Sequence, residues 1–232
     1  MRLFLDTADP QQWQTWLPTG LFYGVTTNPL LLERSGQACT LDNLHRLMAI
    51  ARDCQAQEIQ IQTWGNTVEA MVNTGLALAT DARNGFGTSL YPDVVVKVPI
   101  TRAGTQAAAQ LLAQNIRVTL TAVYAAPQVA IAAALGVDYA APYLGRIQDQ
   151  TPDRKGRGRE ILALMQKMLD RTGNSKTRLL VASLRQAEDL AALAAQGLDT
   201  FTISPAIADR LFQVAATEAA AADFERAARG GG

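Results

Sequence analysis

The chain has 232 residues, of which 48% are hydrophobic, and this is enough to build one sizeable core. It carries 21 Lys and Arg residues against 21 Asp and Glu residues, so no basic excess favours nucleic acid or an anionic membrane surface as the main partner. We therefore expect no nucleic-acid or membrane partner, and any charged substrate must be bound by a local group of side chains.

Cysteine and histidine are scarce. The two cysteines, Cys39 and Cys54, do not form a CxxC pair, and His45 is the single histidine, so a Cys/His zinc site cannot be assembled. The N-terminal run becomes polar at Asp6, too early for a signal peptide, and no apolar run reaches the roughly 18 residues of a membrane span. We predict a cytosolic protein.

Short apolar runs alternate along the chain with longer segments of helical period. The runs predicted as strands are Arg2–Leu5, Tyr23–Thr26, Glu58–Gln62, Val94–Val98, Arg117–Thr121, Asp138–Ala141, Arg178–Ala182 and Thr200–Ile203. Between them, segments such as Leu41–Cys54 and Arg185–Gln196 carry apolar residues at helical spacing. Eight strands, each followed by a helix, favour a closed barrel over an open doubly wound sheet.

The turns after the strands lack the signatures of nucleotide-binding folds. Neither GxGxxG nor GxxxxGK[ST] occurs, so no nucleotide cofactor is expected. Since there is no repeat or linker, we predict a single-domain α/β fold over residues 1–229, a (β/α)8 TIM barrel, with a flexible tail at 230–232. The Ala-rich segment Val214–Ala228 is predicted as an extra C-terminal helix with Phe224 on one face. The irregular stretches Ala82–Asp93 and Gln148–Arg159 are interpreted as surface loops or helix caps.

The functional face of a β/α barrel is the face at which its strands end. Polar residues at these ends are therefore the candidates for a site, and in chain order they are Asp6, Thr26, Thr27, Asn28, Gln62, Lys97, Thr121, Tyr143, Arg146, Ser183 and Ser204.

Lys97 is the most informative candidate because it lies in Val94–Pro99, a run with no polar face. Desolvation disfavours the charged ammonium and lowers the pKa of a buried lysine from its usual value of about 10.4. The neutral amine can then attack a ketone or aldehyde carbon to form an imine. The strand alone leaves a second interpretation equally open, in which Lys97 extends to the rim or pairs with a carboxylate such as Asp6.

Five segments in a characteristic order carry a resemblance to a known family. They are FLDTAD with Asp6, Gly24–Pro29, Val95–Pro99, Thr121–Tyr124, and Ala141–Tyr143 followed by Arg146. Together they resemble the small transaldolase family that includes fructose-6-phosphate aldolase, from Met1 to about Phe224. The resemblance implies a class I, Schiff-base enzyme that forms an imine between Lys97 and a sugar phosphate or hydroxyketone, and that needs no metal or organic cofactor.

The resemblance further implies that Asp6 engages substrate hydroxyls and assists carbon–carbon cleavage as a proton acceptor. Its alternative role is to pair with Lys97. Asn28 resembles the asparagine that hydrogen-bonds the lysine-bound substrate, although Asn before Pro is also a turn signal. Thr26 is expected to bind substrate beside Asn28.

Gln62 and Thr121 match the pair that holds a catalytic water, and Tyr143 matches the tyrosine that uses this water as a proton relay. Gln60 points to the same strand face as Gln62, and we favour Gln62 because its offset to the following helix fits better. The alternative is that the glutamines and Thr121 are merely polar residues of the barrel interior.

Arg146 and Ser183 match groups on the phosphate side, which supply a guanidinium fork and a hydroxyl. Arg185 is a second candidate cation. The alternative is that Arg146 is a surface residue of a basic loop.

Two features divide the family. Ordinary transaldolases resemble this chain less at Gln62, where they have glutamate, and at Tyr143, where they have phenylalanine, so the resemblance favours the aldolase. The segment Ile147–Lys155 and the stretch Ala82–Asp93 depart from the aldolase pattern, which leaves a transaldolase of the pentose phosphate pathway as the alternative. A barrel that binds sugar phosphates without turning them over is the second alternative. The resemblance also implies a homo-oligomer, a pentamer or decamer.

Overall fold

The computed structural model describes residues 1–80, 93–150, 156–172 and 176–230. Within these ranges, parallel strands form a sheet in the order β7-β6-β5-β4-β3-β2-β1-β8. The strands are β1 (Arg2–Asp6), β2 (Gly24–Thr26), β3 (Glu58–Gln62), β4 (Asp93–Pro99), β5 (Arg117–Val123), β6 (Tyr139–Pro142), β7 (Arg178–Leu179) and β8 (Thr200–Ile203).

The two edges of this sheet meet at Val181. Its N–H donates to the oxygen of Thr200 at 3.0 Å, and its own carbonyl accepts from the N–H of Thr202 at 2.8 Å. Strand β7 is shorter than the predicted Arg178–Ala182, because beyond Leu179 the segment pairs only through isolated bridges. The predicted eight-stranded (β/α)8 TIM barrel is confirmed.

Helices alternate with the strands on the outside of the barrel. In the described ranges they are α1 (Pro10–Trp16), α2 (Pro29–Arg34), α3 (Leu41–Asp53), α4 (Val68–Thr80), α5 (Arg102–Ala113), α6 (Ala126–Leu135), α7 (Leu144–Asp149), α8 (Arg157–Arg171), α9 (Ala187–Ala194), α10 (Pro205–Arg210) and α11 (Ala215–Arg229). The predicted helix Leu41–Cys54 corresponds to α3. The other, Arg185–Gln196, corresponds to α9, which begins only at Ala187 because Gln186 has an extended backbone.

The hydrophobic core lies in two layers. The larger cluster fills the space between strands and helices, and it takes Val96 and Val98 from β4. The smaller cluster lies inside the barrel and consists of Phe4, Val95, Tyr139, Ala141 and Leu180. Successive residues of a strand face opposite sides, so Lys97 shares the inward face with Val95. It lies beyond the inner cluster, toward the carboxyl ends of the strands.

At the end of the barrel where the strands begin, a buried polar network around Glu58 closes the interior. Its carboxylate accepts hydrogen bonds from Arg117 at 2.8 Å, Gln60 at 2.8 Å and Tyr139 at 3.2 Å. Burial raises the pKa of Glu58, while the charge of Arg117 and the hydrogen bonds act against this increase. Since each buried oxygen has a partner, this network stabilises the fold at the end where the strands begin.

Helix α11 is the predicted C-terminal helix. None of its residues is buried, and Phe224 is 73% exposed. Of the stretch Gln148–Arg159, the first residues end α7 and the last begin α8. Residues 82–92 of the predicted stretch Ala82–Asp93, residues 151–155 of Gln148–Arg159 and residues 231–232 of the predicted tail lie outside the described ranges. Within the described ranges, no helix is both long and apolar enough to cross a membrane.

Candidate active site

Lys97 lies near the carboxyl end of β4 and points into the barrel. It is 3% exposed, so it is buried rather than extended to the rim. Its Nζ donates a hydrogen bond of 3.0 Å to the main-chain oxygen of Thr27. Burial lowers the pKa of Lys97, and the negative charge of Asp6 acts in the opposite direction. A lysine with a lowered pKa has a larger neutral fraction, which is the nucleophilic form.

Asp6 ends β1 and belongs to a row of three hydrogen-bonded side chains from adjacent strands. Its Oδ1 accepts from Oγ1 of Thr26 at 2.7 Å, and Oγ1 of Thr26 lies 2.6 Å from Oγ1 of Thr202. Thr26 stands directly opposite Asp6 in the β1–β2 register. These contacts leave Oδ2 of Asp6 as the oxygen that can accept a hydrogen bond from a ligand.

Tyr143 and Thr121 form a hydroxyl pair, with Oη and Oγ1 separated by 2.9 Å. The pair forms at a bulge, since the β5–β6 register shifts between Leu120 and Val123 and a bulge changes the direction of nearby side chains. Burial raises the pKa of Tyr143, the hydrogen bond with Thr121 lowers it, and the charge of Asp6 raises it. At neutral pH the phenol is therefore protonated and can donate.

The two glutamines of β3 occupy different environments. Gln60 is buried, and its amide donates to Glu58 and accepts from Thr119, both at 2.8 Å. Gln62 is only partly buried and stands opposite Lys97 in the β3–β4 register. Gln60 is therefore committed to the network at the closed end, and Gln62 is the glutamine at the level of the lysine.

Asn28 directly precedes α2 and also lines the cavity that contains Lys97. Its Oδ1 accepts from the N–H groups of Leu30 at 3.0 Å and Leu31 at 3.1 Å, which makes it the N-cap, with Pro29 in the first helical position. The two interpretations of Asn28 are thus compatible, because the oxygen caps the helix and the side-chain amide nitrogen remains as a donor for a ligand.

Arg146 and Ser183 lie on one cavity wall. Arg146 is on α7 rather than in a loop, its side chain is exposed, and its Nη1 lies 4.0 Å from Asp149. Ser183 has a φ of 59°, an uncommon conformation for a residue with a side chain. Its carbonyl accepts from the N–H of Gly145 at 3.0 Å, which holds the loop after β7 against the start of α7.

Arg185 lies close to the same wall. Both of its terminal nitrogens donate to the two oxygens of Asp149 at 2.7 Å, a bidentate pair. A Cβ atom on Gly145 would lie 2.7 Å from Nε of Arg185 and 2.8 Å from the oxygen of Ser183. Glycine is therefore required where α7 passes this loop.

These groups surround a cavity of about 150 Å³ at the end where the strands finish. Its lining residues are Asp6, Asn28, Leu30, Leu31, Arg34, Lys97, Ala141, Tyr143, Arg146, Leu180, Ala182, Ser183 and Thr202. Thr26 and Thr121 are not in this lining but contact Asp6 and Tyr143, which are. Gln62 is also outside it. In the described part of the chain, no three His, Cys, Asp or Glu side chains are grouped so that they could hold a metal ion.

On the last strand, the candidate chosen from the sequence was Ser204, which instead caps α10 through the N–H of Ile207 at 3.4 Å. Thr202 faces the cavity in its place. The period of two places Thr200, Thr202 and Ser204 on the same face and does not separate Thr202 from Ser204. The difference is that β8 ends at Ile203, before Ser204.

A closed barrel that holds a buried amine, a carboxylate and a tyrosine hydroxyl around one cavity has the groups needed for imine chemistry on a carbonyl compound. The family described as Transaldolase/Fructose-6-phosphate aldolase matches residues 3–230, and the chain belongs to this family.

Several relatives carry the name "Probable transaldolase". One from Phenylobacterium zucineum is 32% identical over 220 residues, covering 94% of this chain and 92% of the relative. One from Rhodospirillum centenum is 30% identical and covers 97% and 89% of the two chains. One from Thermus thermophilus is 29% identical and covers 92% and 91%. The similarity therefore extends over nearly the whole barrel.

Proposed function

We propose that the protein is a fructose-6-phosphate aldolase, which cleaves fructose 6-phosphate reversibly to dihydroxyacetone and glyceraldehyde 3-phosphate through an imine on Lys97. The observation that carries the proposal is the placement of a buried lysine amine and a tyrosine hydroxyl in one cavity. The imine needs the first group, and release of the product to water needs the second.

In this mechanism the neutral amine of Lys97 attacks the ketone carbon C2 of the sugar, and loss of water gives an iminium ion. Asp6 removes the proton of the C4 hydroxyl, the C3–C4 bond breaks, and its electron pair forms an enamine on Lys97. Glyceraldehyde 3-phosphate then leaves. The Oδ2 atom of Asp6 suits this role because the other carboxylate oxygen, Oδ1, accepts a hydrogen bond from Thr26.

The enamine must next be protonated at C3 and the resulting imine hydrolysed. We assign this proton transfer to Tyr143 through a water molecule held by Gln62 and Thr121. The 2.9 Å contact between the two hydroxyls supports the assignment, as does the raised pKa of Tyr143, which keeps a transferable proton on the phenol. Asn28 donates its amide to the bound substrate, and Thr26 orients Asp6 toward it.

The phosphate group is assigned to Arg146 and Ser183, with Arg185 as a second cation. Arg146 is exposed and at 4.0 Å makes only a loose ion pair with Asp149, so it can turn toward an anionic substrate without breaking a short hydrogen bond. Arg185 must first leave its bidentate contact with Asp149, which supports the lesser role.

A transaldolase is the second candidate, and the names of the relatives favour it. Such an enzyme would pass the dihydroxyacetone unit from Lys97 to a sugar phosphate acceptor instead of protonating it. Incubation of the enzyme with fructose 6-phosphate alone separates the two activities. Free glyceraldehyde 3-phosphate supports the aldolase, whereas product that forms only after erythrose 4-phosphate is added supports the transaldolase.

A barrel that binds sugar phosphates without catalysis is tested by borohydride reduction in the presence of dihydroxyacetone, followed by peptide mass spectrometry. Imine chemistry requires a covalent adduct on the peptide that carries Lys97. A folded wild-type protein that gives no adduct would contradict the proposed function.

A further inference from the structure

Thr202 ends the hydrogen-bonded row Asp6–Thr26–Thr202 and has no role in the proposed mechanism. We propose that Thr202 is a positioning residue for Asp6, acting through the hydroxyl of Thr26. The inference rests on the proposed function, in which Asp6 is the proton acceptor for carbon–carbon cleavage.

The directions of the hydrogen bonds follow from counting protons. An ionised carboxylate only accepts, so the single hydroxyl proton of Thr26 is donated to Oδ1 of Asp6, at 2.7 Å. The contact of 2.6 Å between Thr26 and Thr202 then has to use the proton of Thr202. With Asp6 ionised, the protons are therefore ordered from Thr202 to Thr26 to Asp6.

Burial makes this order obligatory. Thr26 is 0% exposed and Thr202 is 2% exposed, so bulk water has little access to either hydroxyl. If Thr202 did not donate to it, the hydroxyl of Thr26 would be free to rotate its proton away from Asp6. The donation from Thr202 removes this freedom, because Thr26 can then only accept on that side.

The strand arrangement keeps the row in place. Strand β1 lies between β2 and β8 in the sheet, and each of these three strands contributes one side chain to the row. Thr26 is opposite Asp6, and Thr202 is opposite Phe4, one inward-facing position below Asp6. Rigid strands thus fix Oδ1 of Asp6 and leave Oδ2 as the oxygen presented to the substrate hydroxyl, which is the kind of orientation that lowers an activation barrier.

The central experiment compares Thr202→Val, which removes the hydroxyl, with Thr202→Ser, which keeps it. We expect Thr202→Val to lower kcat for fructose 6-phosphate cleavage about tenfold with KM changed less than about twofold, because orientation of Asp6 matters only once the imine has formed. The borohydride adduct of dihydroxyacetone on Lys97 should be unchanged in yield. Thr202→Ser should recover most of the rate.

Thr200→Val is the matched control. Thr200 is equally buried, lies on the same face of β8, and donates its hydroxyl to Asp199 rather than to the row. We expect it to retain wild-type kcat. An equal loss of kcat in Thr200→Val and Thr202→Val would mean that the loss of any buried hydroxyl in β8 has the same effect, and would overturn the proposal.

A double-mutant cycle tests whether Thr202 acts through Thr26, and Thr202→Ala takes the place of Thr202→Val if that variant folds poorly. Thr26→Val breaks the row next to Asp6, so adding Thr202→Ser or Thr202→Val to it should lower kcat no further. Additive losses would overturn the proposal, and so would a Thr202→Val enzyme with wild-type kcat. If the wild-type protein gives no adduct at all, the proposed function fails and the inference fails with it, whereas an active wild type with an unaffected Thr202→Val removes only the inference.

Discussion

The hydroxyl of Tyr143 meets that of Thr121 at 2.9 Å, although the two residues belong to different strand ends. The contact depends on the bulge in β5, where Ala122 has a φ of 61°. It combines a half-buried phenol with a neighbour that can both donate to it and accept from it. This is the arrangement from which we expect a proton to reach the enamine.

Replacement of Tyr143 by Phe should separate cleavage from transfer. We expect release of glyceraldehyde 3-phosphate and dihydroxyacetone from fructose 6-phosphate to fall about 100-fold, because the general acid is lost, while transfer to erythrose 4-phosphate persists. Tyr124→Phe is the control, since the ring of Tyr124 packs edge-on against Tyr143 at 5.7 Å. Coupled assays for the two products would measure both activities, and equal loss of cleavage and transfer would argue against the relay.

Replacement of Lys97 by Met should abolish the borohydride adduct while strengthening the fold. A buried amine with a lowered pKa is destabilising, so an apolar side chain of similar length should raise the free energy of unfolding by about 1 kcal/mol at neutral pH. Chemical denaturation of the wild type and the variant measures this difference. A variant that is less stable than the wild type would contradict the prediction.

The pH dependence of that difference has a definite sign. Burial lowers the pKa of Lys97 in the folded state, so at pH values between its folded and unfolded pKa the unfolded chain holds a proton that the folded chain lacks. Wild-type stability therefore rises with pH in this window. We expect the advantage of the methionine variant to shrink as pH approaches about 10.4, and an advantage that grows with pH would contradict the lowered pKa.

Arg146→Ala should raise KM for fructose 6-phosphate about tenfold, because a charge-assisted contact to the phosphate is lost. The adduct of unphosphorylated dihydroxyacetone should form as in the wild type. Arg157→Ala is a suitable control, since Arg157 is also exposed but pairs with Glu160 within α8. Steady-state kinetics with donors that carry and lack a phosphate would test this assignment of Arg146 to the phosphate. Equal effects of the substitution on both donors would contradict it.

Truncation before Thr217 should lower the mass of the particle in light scattering with little effect on the barrel. Helix α11 has no buried residue, and Phe224 is largely exposed, so we expect its apolar side to pack on a neighbouring subunit of a homo-oligomer. The Phe224→Ala variant tests the same contact with the helix in place. An unchanged mass in both variants would contradict a role of α11 in assembly.

The barrel could be predicted from the sequence because strand runs such as Glu58–Gln62 and Thr200–Ile203 are bounded by clear turns and match the structure residue for residue. Strand β7 could not, because its apolar run Arg178–Ala182 continues past the point at which regular pairing stops. The hydrophobicity of a residue indicates that it is buried, not that it pairs with a neighbouring strand. Leu180 and Val181 are buried although they lie beyond the regular part of β7.

The candidate site was predictable where a polar residue interrupts an apolar strand, as Lys97 does in β4. The sequence alone does not distinguish a helix cap such as Ser204 from a cavity residue such as Thr202. The sequence also does not predict which hydroxyl groups form hydrogen bonds across strands. The contacts of Thr26 and Thr121 depend on the stagger between neighbouring strands and on a bulge, and neither of these has a local signature.

The hydrogen bond from Lys97 to Thr27 goes to a main-chain oxygen rather than to a side chain. One N–H of the neutral amine is thereby fixed in direction, so the rotation of the amine is restricted and its lone pair has two possible directions before any substrate arrives. Every residue type at position 27 supplies the same carbonyl. The contact that orients the amine is therefore set by the path of the backbone and not by a side chain. A substitution of a side chain that lines the cavity can therefore change which substrate fits while this main-chain contact of the nucleophile is kept.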